Sequence, residues 1–222
     1  MRYSLFTLLV LFISSSFSSE PNTRIRVDFT IKQKIENRIS LEIGTAYYDK
    51  LKNQLVYQLT FPNRNILVTT DTAVFTYSDD SLINTSFQPG IIQRSIFHLM
   101  LTSNLKSFGL GKGLFKTIKV EKQDSLVVTT YKSDNNKVFD GTILVSNHKN
   151  KLHAVVYKDA SGNVVSKQFY EKYTTVDGLE IPTRIVFIVF ENGKEYYKTI
   201  EFSNIVLNEE HNNHMYHYPA GH

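Results

Sequence analysis

Apolar and polar residues alternate with a period of two along most of the chain between residues 25 and 207. Ile25, Val27, Phe29 and Ile31, for example, alternate with charged and polar residues. This alternation is typical of antiparallel strands that bury one face. The predicted strands cover residues 25–31, 39–45, 55–61, 66–70, 73–77, 115–121, 125–131, 141–146, 152–158, 164–173, 182–191 and 194–207.

The period changes once, between residues 89 and 108. Apolar residues recur there at helical spacing. The apolar stripe comprises Ile92, Ile96, Leu99, Met100 and Leu105. Pro89 suits the first turn of a helix and Gly109 suits its exit, so we expect one main helix over residues 89–108.

The start of the chain has a different pattern. Arg2 supplies a positive charge, residues 5–12 form an apolar run, and serines dominate residues 14–19. This order predicts a cleaved secretory signal peptide at residues 1–19, followed by one domain at residues 20–222. An uncleaved membrane anchor is the second interpretation, although the apolar run is shorter than the roughly 20 residues that span a bilayer.

Composition then narrows the possible chemistry. The 222 residues include no cysteine, which excludes disulfides, thiolate metal sites, a cysteine nucleophile and the lipid-modified cysteine of a lipoprotein. The net charge of +4 comes from 25 basic and 21 acidic residues that are spread along the chain. Because no basic cluster stands out, we expect no nucleic-acid partner.

No sequence motif identifies a catalytic centre. The Gly-x-Ser-x-Gly and His-Glu-x-x-His patterns are absent, so we assign no catalytic or cofactor-binding residue. The glycines at 109, 111 and 113 follow a predicted helix and precede a strand. That context favours a helix cap and loop over a phosphate-binding loop, which lies between a strand and a helix.

Histidine is concentrated at the end of the chain. Four of the seven histidines lie within residues 211–222, and histidine-rich tracts can bind transition metals. No acidic or cysteine ligand accompanies them at a fixed spacing. A surface tail with incidental histidines is the favoured interpretation, and we assign no metal ligand.

Several short motifs match one known family. Gly-Thr-Ala-Tyr occupies residues 44–47, Leu-Thr-Phe-Pro residues 59–62, Ile-Leu-Val residues 66–68 and Phe-Thr-Tyr residues 75–77. Residues 215–221 close the chain with an aromatic-x-aromatic pair followed by Pro-x-Gly. With residues 177–182 and 202–208, these motifs make the chain resemble the LolA-like outer-membrane lipoprotein carrier proteins.

The resemblance implies a mainly β fold, namely a single antiparallel, incompletely closed β-barrel of about 11–12 strands wrapped around one main helix. It also implies a non-enzymatic, monomeric periplasmic carrier that holds acyl chains of lipoproteins or other lipids in an apolar cavity. The carrier would receive them from an inner-membrane donor complex and pass them to an outer-membrane acceptor. No cofactor is implied.

The cavity lining is expected from the apolar faces of the predicted strands and helix, with ordinary core packing as the alternative for each residue. The candidate lipid-binding residues are Ile43, Tyr47, Leu55, Tyr57, Leu59, Phe75, Ile92, Ile96, Leu99 and Met100.

Two features depart from the family. Only residues 21–23 separate the predicted signal peptide from the first strand, where the family has an amphipathic helix. The family's functional arginine between the second and third strands is replaced by Lys50, Leu51 and Lys52, and lysine lacks the bidentate geometry of arginine. A lipid-sensing or lipid-binding module on the same fold, or an enzyme of a lipid-related pathway, are the alternative functions.

Overall fold

Thirteen strands form one antiparallel sheet in the part of the protein that the structure describes. The structure is a computed structural model, and it describes residues 22–35, 38–111, 113–135 and 138–221. The predicted signal peptide at residues 1–19 lies outside those residues. The strands are β1 (Arg24–Ile35), β2 (Arg38–Asp49), β3 (Gln54–Phe61), β4 (Asn65–Thr69), β5 (Ala73–Ser78), β6 (Ser81–Phe87), β7 (Phe115–Gln123), β8 (Leu126–Ser133), β9 (Gly141–His148), β10 (Lys151–Asp159), β11 (Val164–Val176), β12 (Leu179–Glu191) and β13 (Lys194–Leu207).

The strand order places the first strand, β1, beside the last strand, β13, in the middle of the sheet. The order is β6-β5-β4-β3-β2-β1-β13-β12-β11-β10-β9-β8-β7, and Ile25 of β1 pairs with Leu207 of β13. β6 and β7 are the two edges and do not pair with each other within the described residues. The predicted mainly β, incompletely closed barrel with a helix is therefore confirmed.

The helical segment is shorter and more broken than the helix predicted over residues 89–108. Its α-helix, α1, spans Ile96–Leu101, and 3-10 turns at Ile92–Arg94 and Leu105–Ser107 flank it. Ser95 starts α1 because it has an extended backbone and its Oγ accepts the His98 N–H at 3.2 Å. Ser103, with φ of +57°, lies just beyond the helix end. The periodicity thus located the helical segment but not these interruptions.

The sheet has an inner face, which the helical segment covers, and an outer face. Side chains alternate between the two faces along each strand. The inner core comprises the following residues from β1–β3, the helical segment and β8–β13: Ile25, Val27, Phe29, Ala46, Tyr48, Leu55, Ile92, Phe97, Met100, Leu101, Tyr131, Ile143, Val145, Leu152, Val155, Tyr170, Ile181, Ile185, Phe202 and Leu207.

The end of the chain packs on the outer face. A short helix, α2 (Asn213–Tyr216), buries Met215 and Tyr216 in a second apolar cluster with residues of β2–β5. Tyr216 packs edge-on against Tyr47 at 5.4 Å. The predicted surface tail is therefore wrong for this part, because its apolar and aromatic side chains alternate with the exposed histidines and cover the back of the sheet.

Gly44 provides a test of how closely the inner face is packed. An added Cβ at Gly44 would contact the Gln58 carbonyl group and the Phe29 ring, which lies 2.9 Å away. We expect Gly44→Ala to lower the free energy of unfolding by about 1–3 kcal/mol, as measured by urea denaturation. Ser40→Ala, at an exposed position of the same strand, should change it by less than about 0.5 kcal/mol. Equal effects of the two variants would contradict the close contact.

Candidate functional site

An apolar cavity of about 420 Å³ lies between the helical segment and the inner face of the sheet. Its lining comprises Phe29, Ile31, Tyr57, Arg94, Ser95, Ile96, Phe108, Tyr157, Gln168, Tyr170, Ile185, Phe187, Lys198, Ile200 and Phe202. Volumes of roughly 300–1,000 Å³ are usual for small-molecule sites. The cavity is therefore large enough for an organic ligand of modest size.

The apolar floor of the cavity follows from strand register. Ile31 pairs with Ile200, Ile200 pairs with Ile185, and Ile185 pairs with Tyr170, so these side chains form one row across four strands. Residues directly opposite on neighbouring antiparallel strands project from the same face of a sheet. The row is therefore a continuous strip of apolar surface under the helical segment.

Aromatic contacts close the cavity on the side of the helical segment. Phe97 of α1 packs against Phe202 at 5.5 Å, and Phe108, just after the last 3-10 turn, packs against Tyr170 at 6.2 Å. These separations are typical of favourable aromatic pairs. The helical segment is thus fixed at both ends while the space between its ends and the sheet stays open.

Three polar residues of the lining, Tyr157, Gln168 and Lys198, lie in two successive rows beside the apolar floor. Gln168 pairs with Phe187, and Phe187 pairs with Lys198. The Lys198 Nζ lies 4.7 Å above the Phe187 ring. Tyr157 lies in the adjoining row. The positive charge of Arg94 partly offsets the effect of burial on the pKa of Tyr157. We call Arg94, Tyr157, Gln168 and Lys198 the polar end.

Burial shifts the pKa values of the tyrosine side chains that line the cavity. Burial raises the pKa of Tyr57 to about 12, and burial raises the pKa of Tyr157 to about 12 against the opposing charge of Arg94. The pKa of Tyr170 is raised as well, chiefly by burial. The shifts are upward because desolvation disfavours the charged phenolate relative to the neutral phenol.

Two of the ten candidate lipid-binding residues line this cavity, Tyr57 and Ile96. Leu55, Ile92 and Met100 are buried in the inner core, against which Leu59 packs. Leu99 is also buried. Tyr47 and Phe75 belong to the outer cluster, and Ile43 is 39% exposed. A role for these residues in lipid contact stays a prediction.

Sequence reasoning missed most of the lining because alternation does not say which face of a strand is inner. In β2, the odd-numbered residues were chosen, whereas Ala46 and Tyr48 belong to the inner core. The later strands β10–β13 carried the same alternation as the early ones and supply half of the lining. The alternating apolar residues of these strands, between the predicted turns, could have identified Ile185, Phe187 and Ile200 as candidate lining residues.

The loop after β2, which contains Lys50, contacts the helical segment. Lys50 Nζ donates a hydrogen bond to the carbonyl oxygen of Leu101, at 3.4 Å. The Tyr48 hydroxyl is hydrogen-bonded to His98 Nδ1 at 2.7 Å, and burial lowers the pKa of His98. Both contacts attach α1 to the end of β2.

Other hollows in the described residues are more polar. A hollow of about 610 Å³ along β8 and β9 is lined mainly by hydroxyl, amide and ammonium groups. Among the described residues, no group of three or more His, Asp or Glu side chains is arranged to hold a metal ion. No helix of the described residues has the length and apolarity to cross a membrane. The 420 Å³ cavity is the candidate site because its lining is mostly apolar.

Solved structures share this architecture. The chain superposes on a LolA superfamily protein from Nitrosomonas europaea with a TM-score of 0.59 and 14% identity, over 88% of this chain and 90% of that one. The fold is LolA-like. The chain also superposes on a DUF1329 family protein from Desulfovibrio piger. The TM-score is 0.59, with 10% identity over 89% of this chain and 90% of that one.

A third similar structure is a putative outer membrane lipoprotein-sorting protein domain from Vibrio parahaemolyticus. Its TM-score is 0.59, with 9% identity over 87% of this chain and 89% of that one. No family model matches the chain, and no curated protein sequence matches it. At these identities the LolA-like likeness is one of fold.

The raised pKa values give a testable pH dependence. The cavity phenols stay protonated up to about pH 12 in the folded protein, whereas unfolded tyrosines ionise near pH 10. Their contribution to stability is complete below pH 10 and is lost as the pH rises through 12. We expect the free energy of unfolding, measured in urea, to fall across this window.

The double variant Tyr57→Phe/Tyr157→Phe should show a shallower fall, because phenylalanine cannot ionise. The remaining buried tyrosines retain part of the effect. A pH dependence identical to that of the parent chain would contradict the raised pKa values of these two phenols.

Proposed function

We propose that the protein is a non-enzymatic carrier that shields an acyl chain in the 420 Å³ cavity. The observation that carries this proposal is the apolar row of Ile31, Ile200 and Ile185 beneath a helical segment, which leaves space beside it. Each methylene moved from water into such a space contributes roughly 0.8 kcal/mol. A chain of several methylenes would therefore bind without any polar contact.

The same proposal includes location and partners. The N-terminal pattern of charge, apolar run and small residues supports export through a signal peptide. The similarity of fold to a putative outer membrane lipoprotein-sorting protein domain supports a carrier, which we propose acts in the periplasm as a monomer. It would take lipid or lipoprotein acyl chains from an inner-membrane donor complex and deliver them to an outer-membrane acceptor. Fold-level analogy is the warrant for these partners.

A tryptophan placed in the cavity would report entry of an acyl chain. The chain has no tryptophan, so Phe187→Trp introduces a single tryptophan at the lining. We expect its emission to shift to shorter wavelength when dodecanol is added, because the alkyl chain displaces water from the indole. The shift should saturate with dodecanol concentration.

Phe190→Trp is the matched control. Phe190 lies on the opposite face of the same strand and also carries a lysine, Lys167, at 5.3 Å above its ring. Its emission should not change with dodecanol. A shift of equal size in both variants would indicate non-specific adsorption, and no shift in the Phe187→Trp variant would refute the carrier proposal. Extraction and mass spectrometry of the purified protein would then identify any natural lipid.

A further inference from the structure

The polar groups that line the cavity are predominantly hydrogen-bond donors. They are the guanidinium of Arg94, the ammonium of Lys198, the amide of Gln168 and the hydroxyls of Ser95, Tyr57, Tyr157 and Tyr170, and the lining includes no Asp or Glu. Guanidinium and ammonium groups donate only, and a hydroxyl can donate or accept. Such a set is suited to an anionic oxygen group more than to a cation.

The hydrogen bonds within the lining increase the excess of free donors over free acceptors. Tyr170 donates its hydroxyl proton to Gln168 Oε1 at 2.7 Å, so the acceptor of Gln168 is used and its NH₂ group remains. Ser95 Oγ accepts the His98 N–H, and its own proton remains. Within the described residues, the hydroxyls of Tyr57 and Tyr157 have no hydrogen-bond partner in the protein.

The two cations of the cavity lack acidic partners. Elsewhere in the chain, Arg24 pairs with Asp49 at 2.8 Å and Arg184 pairs with Glu171 at 2.6 Å. In the described part of the chain, neither Arg94 nor Lys198 forms an ion pair. Lys198 instead lies over the Phe187 ring. Lys198 is half-buried and Arg94 is exposed, so an anionic ligand could pair with both cations without displacing a carboxylate of the protein.

The polar end is continuous with the apolar floor. Lys198 is two residues from Ile200 on β13, and both side chains line the cavity. Two residues along a strand correspond to about 7 Å. A ligand with a charged group at one end and an alkyl chain beyond it therefore matches the order of side chains along this face.

We propose that the cavity selects a single-chain amphiphile with an anionic head group, bound by Arg94 and Lys198. This inference rests on the proposed carrier function and narrows its cargo to a fatty-acid-like or phosphate-bearing lipid. The cavity volume of about 420 Å³ supports one alkyl chain rather than several. The uncharged acyl groups of a lipoprotein would leave both cations without a partner.

Ligands that differ only in the head group test this inference. We would measure binding of dodecanoate, dodecyl phosphate, dodecanol and dodecyltrimethylammonium to the purified protein by calorimetry. The ionic ligands are kept below their micelle concentrations and dodecanol below its solubility limit. We expect the anionic ligands to bind about tenfold more tightly than dodecanol at low salt, since a charge-assisted hydrogen bond contributes about 1.4 kcal/mol or more. The preference should shrink with added salt because Arg94 is exposed.

The double variant Arg94→Gln/Lys198→Gln should lose the preference for the anionic ligands and keep its affinity for dodecanol. Lys167→Gln, which removes the matching lysine of the outer face, should retain the preference. Comparison of dodecanoate with dodecyl phosphate distinguishes a carboxylate from a phosphate head group. Inorganic phosphate alone should bind far more weakly than dodecyl phosphate.

The outcomes separate the two proposals. Equal binding of dodecanol and dodecanoate, or a preference that survives the double variant, would overturn the head-group inference and leave the carrier function intact. Absence of binding by all four dodecyl ligands would overturn both. Binding of inorganic phosphate as tight as that of dodecyl phosphate would show a small-anion site instead of a lipid site.

Discussion

The fold depends on covering the apolar inner face of one thirteen-stranded sheet. A β-sandwich covers such a face with a second sheet, but here the cover is a helical segment whose α-helix has six residues. The segment contributes Ile92, Phe97 and Leu101 to the inner core. It is too short to fill all of the space above the inner face of the sheet. The cavity is therefore a consequence of the mismatch between a long curved sheet and a short helical cover.

Sequence periodicity predicted the strands better than the site. The first five strands and the last seven were all predicted, because each buries one face and alternates accordingly. β6 was missed because nearly all of its residues are exposed, so burial imposes no alternation on it. The helical segment was located, but the Ser95 cap and the turn at Ser103 were not. Which face of β2 is inner depends on the whole sheet, and the choice of Tyr47 and Ile43 shows that local pattern lacks this information.

The inner and outer faces of strands β2–β5 pack against different parts of the protein. The inner face of β3 contributes Leu55 to the inner core and Tyr57 to the cavity. The outer face of β2–β5 is covered by the chain end through Met215 and Tyr216. Arg24 joins these regions, since it pairs with Asp49, donates to Asn213 at 2.6 Å and lies over the Tyr216 ring. The chain end thus covers the outer face of these strands, while the cavity lies on the inner face.

The pairing of β1 with β13 has a consequence for biosynthesis. Ile25 meets Leu207 at the centre of the sheet, so the loop that this contact closes includes nearly the whole domain. Contacts this distant in sequence carry a large closure entropy and slow folding. A growing chain can form two separate half-sheets, each with an uncovered apolar face, but it can join them only after its last strand has emerged. Until then the nascent protein exposes apolar surface of the kind that chaperones bind. Because β13 lies between β1 and β12, its loss would divide the sheet in two instead of removing an edge strand.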